Sequence, residues 1–205
     1  MQPISNVFQK LERNILDLSK GLNKEVSVKI HGSEVELDKT VIERISDPLT
    51  HILRNAIDHG IESPESRRRD GKPVNGTIQI SANKDTFGIE IQIRDDGKGL
   101  AEEKILAKAR EKGLIEPDAV LTKDQVFQLI YLPGFSTAAR ISDVSGRGVG
   151  MDVVMQSLKD LQGTIRIESE IGKGTCFIIS LPTSVSIIEG MLILLCGQKY
   201  VVPVN

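Results

Sequence analysis

The chain reads as an α+β protein, a two-layer α/β sandwich of one sheet under a cover of helices, on three observations. Apolar residues recur at spacings of three and four in several stretches, the mark of amphipathic helices, and alternate with polar residues in others, the mark of half-buried strands. The strands come as antiparallel hairpins beside helices, without the regular strand-helix-strand alternation of a doubly wound sheet. The 205 residues are 40% hydrophobic and 26% charged, within the range of globular chains and outside disordered or collagen-like ones. Aromatic residues are only 3%, so the core is expected to be Ile, Val and Leu.

Phe8, Leu11, Ile15, Leu18 and Leu22 define an opening amphipathic helix that ends near Gly21. Val26, Val28 and Ile30, a turn at His31-Gly32-Ser33, then Val35 and Leu37 read as a hairpin-like pair of strands. Residues 40–45 look helical, and Asp47-Pro48 supplies an N-cap and a first-turn proline that restart a helix running to Gly60. The charged stretch 61–76, with Arg67-Arg68-Arg69, Pro64 and Pro73, is expected to be a solvated connection. Ile78, Ile80 and Ala82, then Ile89, Ile91 and Ile93, form an antiparallel hairpin whose second strand ends at Asp95. Helices follow over 101–112 and 123–131. The Gly, Ser and Thr-rich stretch 132–150 is too long for an ordinary connector and is expected to be a lid. A helix over 152–161 and two strands, 164–169 and 175–181, complete the pattern.

Charge and composition exclude several functions. Lys plus Arg number 26 against 28 acidic residues, a net charge of −2, so no broad cationic field exists to hold nucleic acid, and the absence of Trp removes stacking platforms. Cys176 and Cys196 form no Cys-x-x-Cys pair, which argues against a disulfide framework or a zinc site and fits a reducing cytoplasm. The longest apolar run, 187–196, is about half the ~20 residues of a membrane span.

Three local patterns carry chemistry. On the helix reaching Gly60, Leu49, Ile52, Leu53, Ala56 and Ile57 share one arc, while His51, Asn55, Asp58 and His59 share the opposite one. A plain solvent face favours Lys and Glu; Asn, Asp and His are poorer helix formers with coordinating atoms. Asp95-Asp96-Gly97-Lys98-Gly99 holds a carboxylate at a strand end, with glycines that permit close backbone approach to a ligand. Gly146-Arg147-Gly148-Val149-Gly150 opens a helix at Met151, where free N–H groups and the helix dipole favour phosphate. No strand leads into this last motif, and no Walker sequence occurs.

Taken in order, His51 to Gly60, Asp95 to Gly99, Pro133-Gly-Phe-Ser-Thr137 and Gly146 to Met151 resemble the ATP-binding domain of the CheA family of chemotaxis histidine kinases. More widely the chain is similar to the Bergerat ATP-binding fold of gyrase, Hsp90-type chaperones, mismatch-repair proteins and histidine kinases, itself an α/β sandwich. The resemblance implies ATP and Mg²⁺ as cofactors, with Asn55 as metal ligand and Asp95 as acceptor of the adenine amino proton. Guanine would set a carbonyl oxygen against that carboxylate, at a cost of about 1–3 kcal/mol, so ATP is preferred over GTP. Gly97, Gly99, Gly146, Gly148 and Gly150 match glycines lining base and phosphates, Thr175 a threonine near the adenine, and Lys104 and Lys108 lie where they can reach phosphates. Asp58 and His59 join the nucleotide face. His51 stands where other histidine kinases carry an acid, and a neutral imidazole can accept the proton of a substrate histidine.

The same resemblance divides the chain into 1–35, the end of a preceding helical region and entry to the domain; 36–182, the ATP-binding domain; and 183–205, the unpaired first strands of an SH3-like coupling domain similar to the adaptor CheW. It implies a piece of a longer cytoplasmic, homodimeric kinase. Its partners are a separate histidine phosphotransfer domain, an adaptor and chemoreceptors. A water-activating ATPase or a non-catalytic nucleotide-sensing module of the same fold stays open on sequence alone.

Overall fold

The computed structural model describes residues 1–86, 88–135, 150–182, 190–195 and 198–203, the last two ranges by their backbone. A short strand β1 (Gln2–Pro3) leads into helix α1 (Ser5–Gly21), whose Val7, Phe8, Leu11 and Ile15 are buried as their spacing requires. Strand β2 (Val26–His31) follows, then β3 (Glu36–Leu37). These two do not form the expected hairpin. β2 pairs in parallel with β4 (Gly76–Lys84), and β3 pairs antiparallel with β1, where Ile4 N also donates to Val35 O at 2.9 Å. The turn signal at Gly32 is real, with φ +69° and room for no side chain against the Ala82 carbonyl. It sends the chain out of the sheet, and the return to a parallel partner needs a helical crossover.

That crossover is α2 (Lys39–Asn55), one continuous helix rather than two. Asp38 caps it through the Thr40 N–H at 2.7 Å, so the start signal lies nine residues before Asp47-Pro48. Pro48 removes one backbone donor but is buried inside the helix, and the Thr50 hydroxyl adds a bond to Ser46 O in the same turn. From Ala56 to Gly60 the helix widens into a π turn closed by Ile61 N donating to Ala56 O at 2.7 Å.

A short helix α3 (Pro64–Arg69) occupies the expected loop. The hairpin of β4 and β5 (Gly88–Asp95), helices α4 (Glu102–Glu111) and α5 (Lys123–Gln128), and a 3₁₀ turn at Leu129–Tyr131 come next. Helix α6 (Met151–Asp160) and strands β6 (Thr164–Glu170) and β7 (Gly174–Pro182) follow. The five-stranded sheet runs β2-β4-β5-β7-β6, antiparallel except at β2-β4. Ile78, Ile80, Ile91, Ile93, Ile167 and Ile179 from its inner face meet Leu11, Ile45, Leu49, Ile52 and Leu158 from the helices in one aliphatic core. Each such side chain contributes about 1.5–3 kcal/mol on burial. β8 (Gly190–Leu195) and β9 (Gln198–Pro203), expected unpaired, pair antiparallel with each other as a separate sheet. The expected lid falls mostly on 136–149, outside the described residues.

Candidate nucleotide site

Strand β5 carries Asp95 to its C-terminal end on the inward phase of the alternation, so the carboxylate is 3% exposed. Its Oδ1 accepts from Gly97 N at 2.9 Å and from Thr175 N at 3.3 Å. Both bonds go to one oxygen; Oδ2 takes none from the described residues. Burial pushes the carboxyl up from 3.8 to about 6, further raised by Asp96 and Glu62, while the Gly97 and Thr175 amides pull it back. Thr175 is in turn placed by its hydroxyl against Ser169 Oγ at 3.1 Å.

The end of α2 meets this turn directly. Lys98 N donates to Gly60 O at 3.0 Å, a side chain on Gly60 would lie 3.3 Å from Asp95 Oδ1, and one on Gly97 would lie 2.3 Å from Gly60 O. The glycines therefore let strand end and helix end touch. Gly99, at φ +73°, packs similarly on the Glu170 carbonyl.

One turn back, Asn55 Nδ2 donates to Met151 Sδ at 3.1 Å, which draws the half-buried amide to the N-terminus of α6, where Gly150 is the cap residue. The Asn55 carbonyl oxygen takes no hydrogen bond from the described residues. A single uncommitted amide oxygen fits Mg²⁺, which keeps several waters and completes its shell from phosphate oxygens. His51 is half-buried on the same helix; burial and then Arg54 lower its proton affinity, with Asp152 opposing them, so the imidazole is neutral at pH 7.

Asp58 and His59 fall on the π turn. The Asp58 carbonyl accepts from Lys24 Nζ at 3.0 Å, and His59 is exposed, with no hydrogen bond or ion pair to Asp95 among the described residues. Lys104 is exposed on α4, and Lys108 Nζ sits 4.9 Å over the Phe135 ring, next to the stretch that leads toward the glycine motif. No contact brings either lysine to Asp95 or Asn55 among the described residues. Gly146 and Gly148 lie outside those residues.

The stretch 61–76 departs most from expectation. Arg67 is 1% exposed, not solvated: Nε donates to Pro73 O at 2.6 Å, Nη1 to Glu62 Oε2 at 2.9 Å, and Nη2 to Asp96 Oδ2 at 3.0 Å. A triple-arginine run in a Pro-flanked segment reads as surface, and only the acids at Glu62 and Asp96 signalled partners. Nothing local in the sequence marks Lys72 or Lys24 either. Lys24 Nζ spends all three donors on the carbonyls of Ile57, Asp58 and Ile61, at 2.6, 3.0 and 2.8 Å, and so caps the π turn.

Comparison with known proteins gives the relatives of this chain and of its fold. The chain is 47% identical over its whole length to the chemotaxis protein CheA of Treponema pallidum, 46% to CheA of Bacillus subtilis and 47% to the sensor histidine kinase CheAY of Helicobacter pylori. It spans 25%, 31% and 26% of those proteins. Among solved structures, the catalytic domain of histidine kinase ThkA superposes with a TM-score of 0.52 at 17% identity, over 89% of this chain and 93% of that one. A histidine kinase domain from Erythrobacter litoralis gives 0.52 at 15%, over 89% and 66%. The family described as histidine kinase-, DNA gyrase B-, and HSP90-like ATPase matches residues 44–185. That match spans more than half of the chain, the fold is that of the histidine kinase catalytic domains, and the chain belongs to this ATPase family.

Proposed function

We propose that the chain is the ATP-binding catalytic domain of a chemotaxis histidine kinase, passing the γ-phosphate of ATP to a histidine on a separate phosphotransfer domain. The observation that carries the reading is Asp95: buried at a strand end, held through one oxygen by two backbone amides, with the other oxygen uncommitted. That is the acceptor an adenine amino group requires, and similarity along the whole of this chain to CheA proteins, one of them described as a sensor histidine kinase, supports histidine as the phosphoryl acceptor.

In this reading Asp95 accepts the adenine amino N–H beside Gly97, Gly99 and Thr175, and Asn55 holds Mg²⁺, which when bound neutralises phosphate charge. The Gly150 amide and the start of α6 are offered to the phosphates, Gly146 and Gly148 belong to the same motif by sequence alone, and Asp58, His59, Lys104 and Lys108 are assigned to the phosphate end. A ring nitrogen of the substrate histidine bonds to the γ-phosphorus as the bond to the bridging oxygen of ADP breaks, and its proton passes to the neutral His51 imidazole. Placement and charge do most of the work, since phosphoryl transfer asks for little covalent help.

We assign 36–182 to the catalytic domain, 1–35 to its entry and 183–205 to the start of a coupling domain. The partners of the whole kinase are then a second copy of itself, its phosphotransfer domain, an adaptor of the CheW kind and chemoreceptors in the cytoplasm. Among the described residues no helix is long and apolar enough to cross a membrane. The test is to mix the chain with a phosphotransfer domain from a CheA relative, Mg²⁺ and γ-labelled ATP. Acid-labile label on a histidine of that domain is expected; phosphate released to water at an undiminished rate, with none on the domain, would assign a water-activating ATPase instead.

A further inference from the structure

Two cations meet on one peptide group of the Asp95–Gly97 turn. Lys72 Nζ donates to Asp96 O at 2.9 Å, Gly97 O at 2.7 Å and Glu62 Oε1 at 2.8 Å. Arg67 Nη1 reaches the same Asp96 O at 3.3 Å, and Glu62 joins the two cations through its separate oxygens. Asp96 completes the cluster: its Oδ2 accepts from Arg67 and its Oδ1 from Thr77 N at 2.9 Å, which ties the turn to strand β4.

The bond between Asp96 and Gly97 is a planar, trans peptide. Its carbonyl is the atom that Lys72 and Arg67 hold, and its N–H is the donor that reaches Asp95 Oδ1 at 2.9 Å. Fixing one end of a rigid plane fixes the other. A cation on the carbonyl also polarises the amide and strengthens its N–H as a donor. With Oδ1 engaged, the carboxylate has one free oxygen in one orientation.

We propose that Lys72 and Arg67 are positioning residues for base recognition: by gripping the Asp96 carbonyl they aim the Gly97 N–H at Asp95 Oδ1 and so present Oδ2 to the adenine amino group. This rests on the reading of Asp95 as the adenine acceptor. Neither cation touches the nucleotide in this account. A cluster that merely held the loop would lower stability without changing which base is chosen.

The experiment compares ATP with inosine triphosphate, which carries a carbonyl in place of the adenine amino group. Dissociation constants are measured by calorimetry on the whole chain at pH 8, below the unfolding temperature of each protein. The unsubstituted chain is expected to prefer ATP by about tenfold or more. Lys72→Met and Arg67→Lys should bring that ratio toward one by weakening ATP binding, with inosine triphosphate little affected; Arg67→Lys keeps the buried charge and serves if Lys72→Met does not fold. A ratio unchanged in folded variants whose melting temperature has dropped would overturn the positioning role while leaving Asp95 in place. No preference in the unsubstituted chain would remove Asp95 from the base, and the proposal with it.

Discussion

Burial holds the Asp95 proton on up to about pH 6, whereas in the unfolded chain it leaves near 3.8. The folded state therefore carries the extra proton between those values, and its stability falls as pH rises from about 4 to 6. Above pH 6 the full penalty is present, at most about 3 kcal/mol. Asp95→Asn keeps an acceptor for Gly97 N and Thr175 N but no charge, so it should melt at an equal or higher temperature than the parent at pH 8, with the difference closing toward pH 4, while losing ATP binding. ATP binding by the parent should itself weaken as pH drops through 6, because a protonated Oδ2 offers a donor to a donor. His51 is the other titrating group of interest: His51→Gln should lower phosphotransfer by about 10²–10⁴-fold with little change in ATP dissociation constant, and a parallel loss of both would make it structural. These side chains were legible in the sequence because their types are odd for their positions. Arg67 was not, since nothing local in Ser66-Arg67-Arg68-Arg69 distinguishes the one arginine that burial and Glu62 claim.

The elements that build the site were read correctly where periodicity decides and misread where a distant partner does. Helices α1, α4 and α6 and the β4-β5 and β6-β7 hairpins follow their patterns. β2 took a partner more than forty residues away, which no turn signal reveals. Pro48 did not stop α2, because a helix already capped at Asp38 and buried along one face outweighs one lost hydrogen bond. The π turn was also invisible, since it depends on Lys24 from a separate segment. Lys24→Met should cost about 1–3 kcal/mol in denaturant unfolding, and should raise hydrogen exchange at 56–61 more than in the sheet. Two glycine substitutions separate packing from backbone conformation. Gly97→Ala places a Cβ 2.3 Å from Gly60 O and 2.8 Å from Asp95 Oδ1, and should cost about 1–3 kcal/mol and abolish ATP binding. Gly172→Ala, at φ +81° with open space around it, should cost about 1–2 kcal/mol and leave binding intact.

At the scale of the molecule, the candidate site is a seam. The sheet supplies Asp95 and Thr175, the helical layer supplies His51, Asn55 and the start of α6, and the Gly60 to Gly97 contact joins them. Both layers share one aliphatic core, so packing fixes the placement of the sheet residues against the helical ones. The α+β class was legible because binary patterning alone separates hairpins from crossover units. The seam was not, because it is made of backbone contacts that glycines permit rather than of side chains that announce themselves. Whether the buried Asp95 carboxylate selects adenine nucleotides is decided by calorimetric titration of the purified chain with ATP and with GTP, each with and without Mg²⁺. Saturable ATP binding, tighter with Mg²⁺, is expected, with little or no binding of GTP. Equal binding of the two nucleotides, or none of ATP by a demonstrably folded chain, would contradict it.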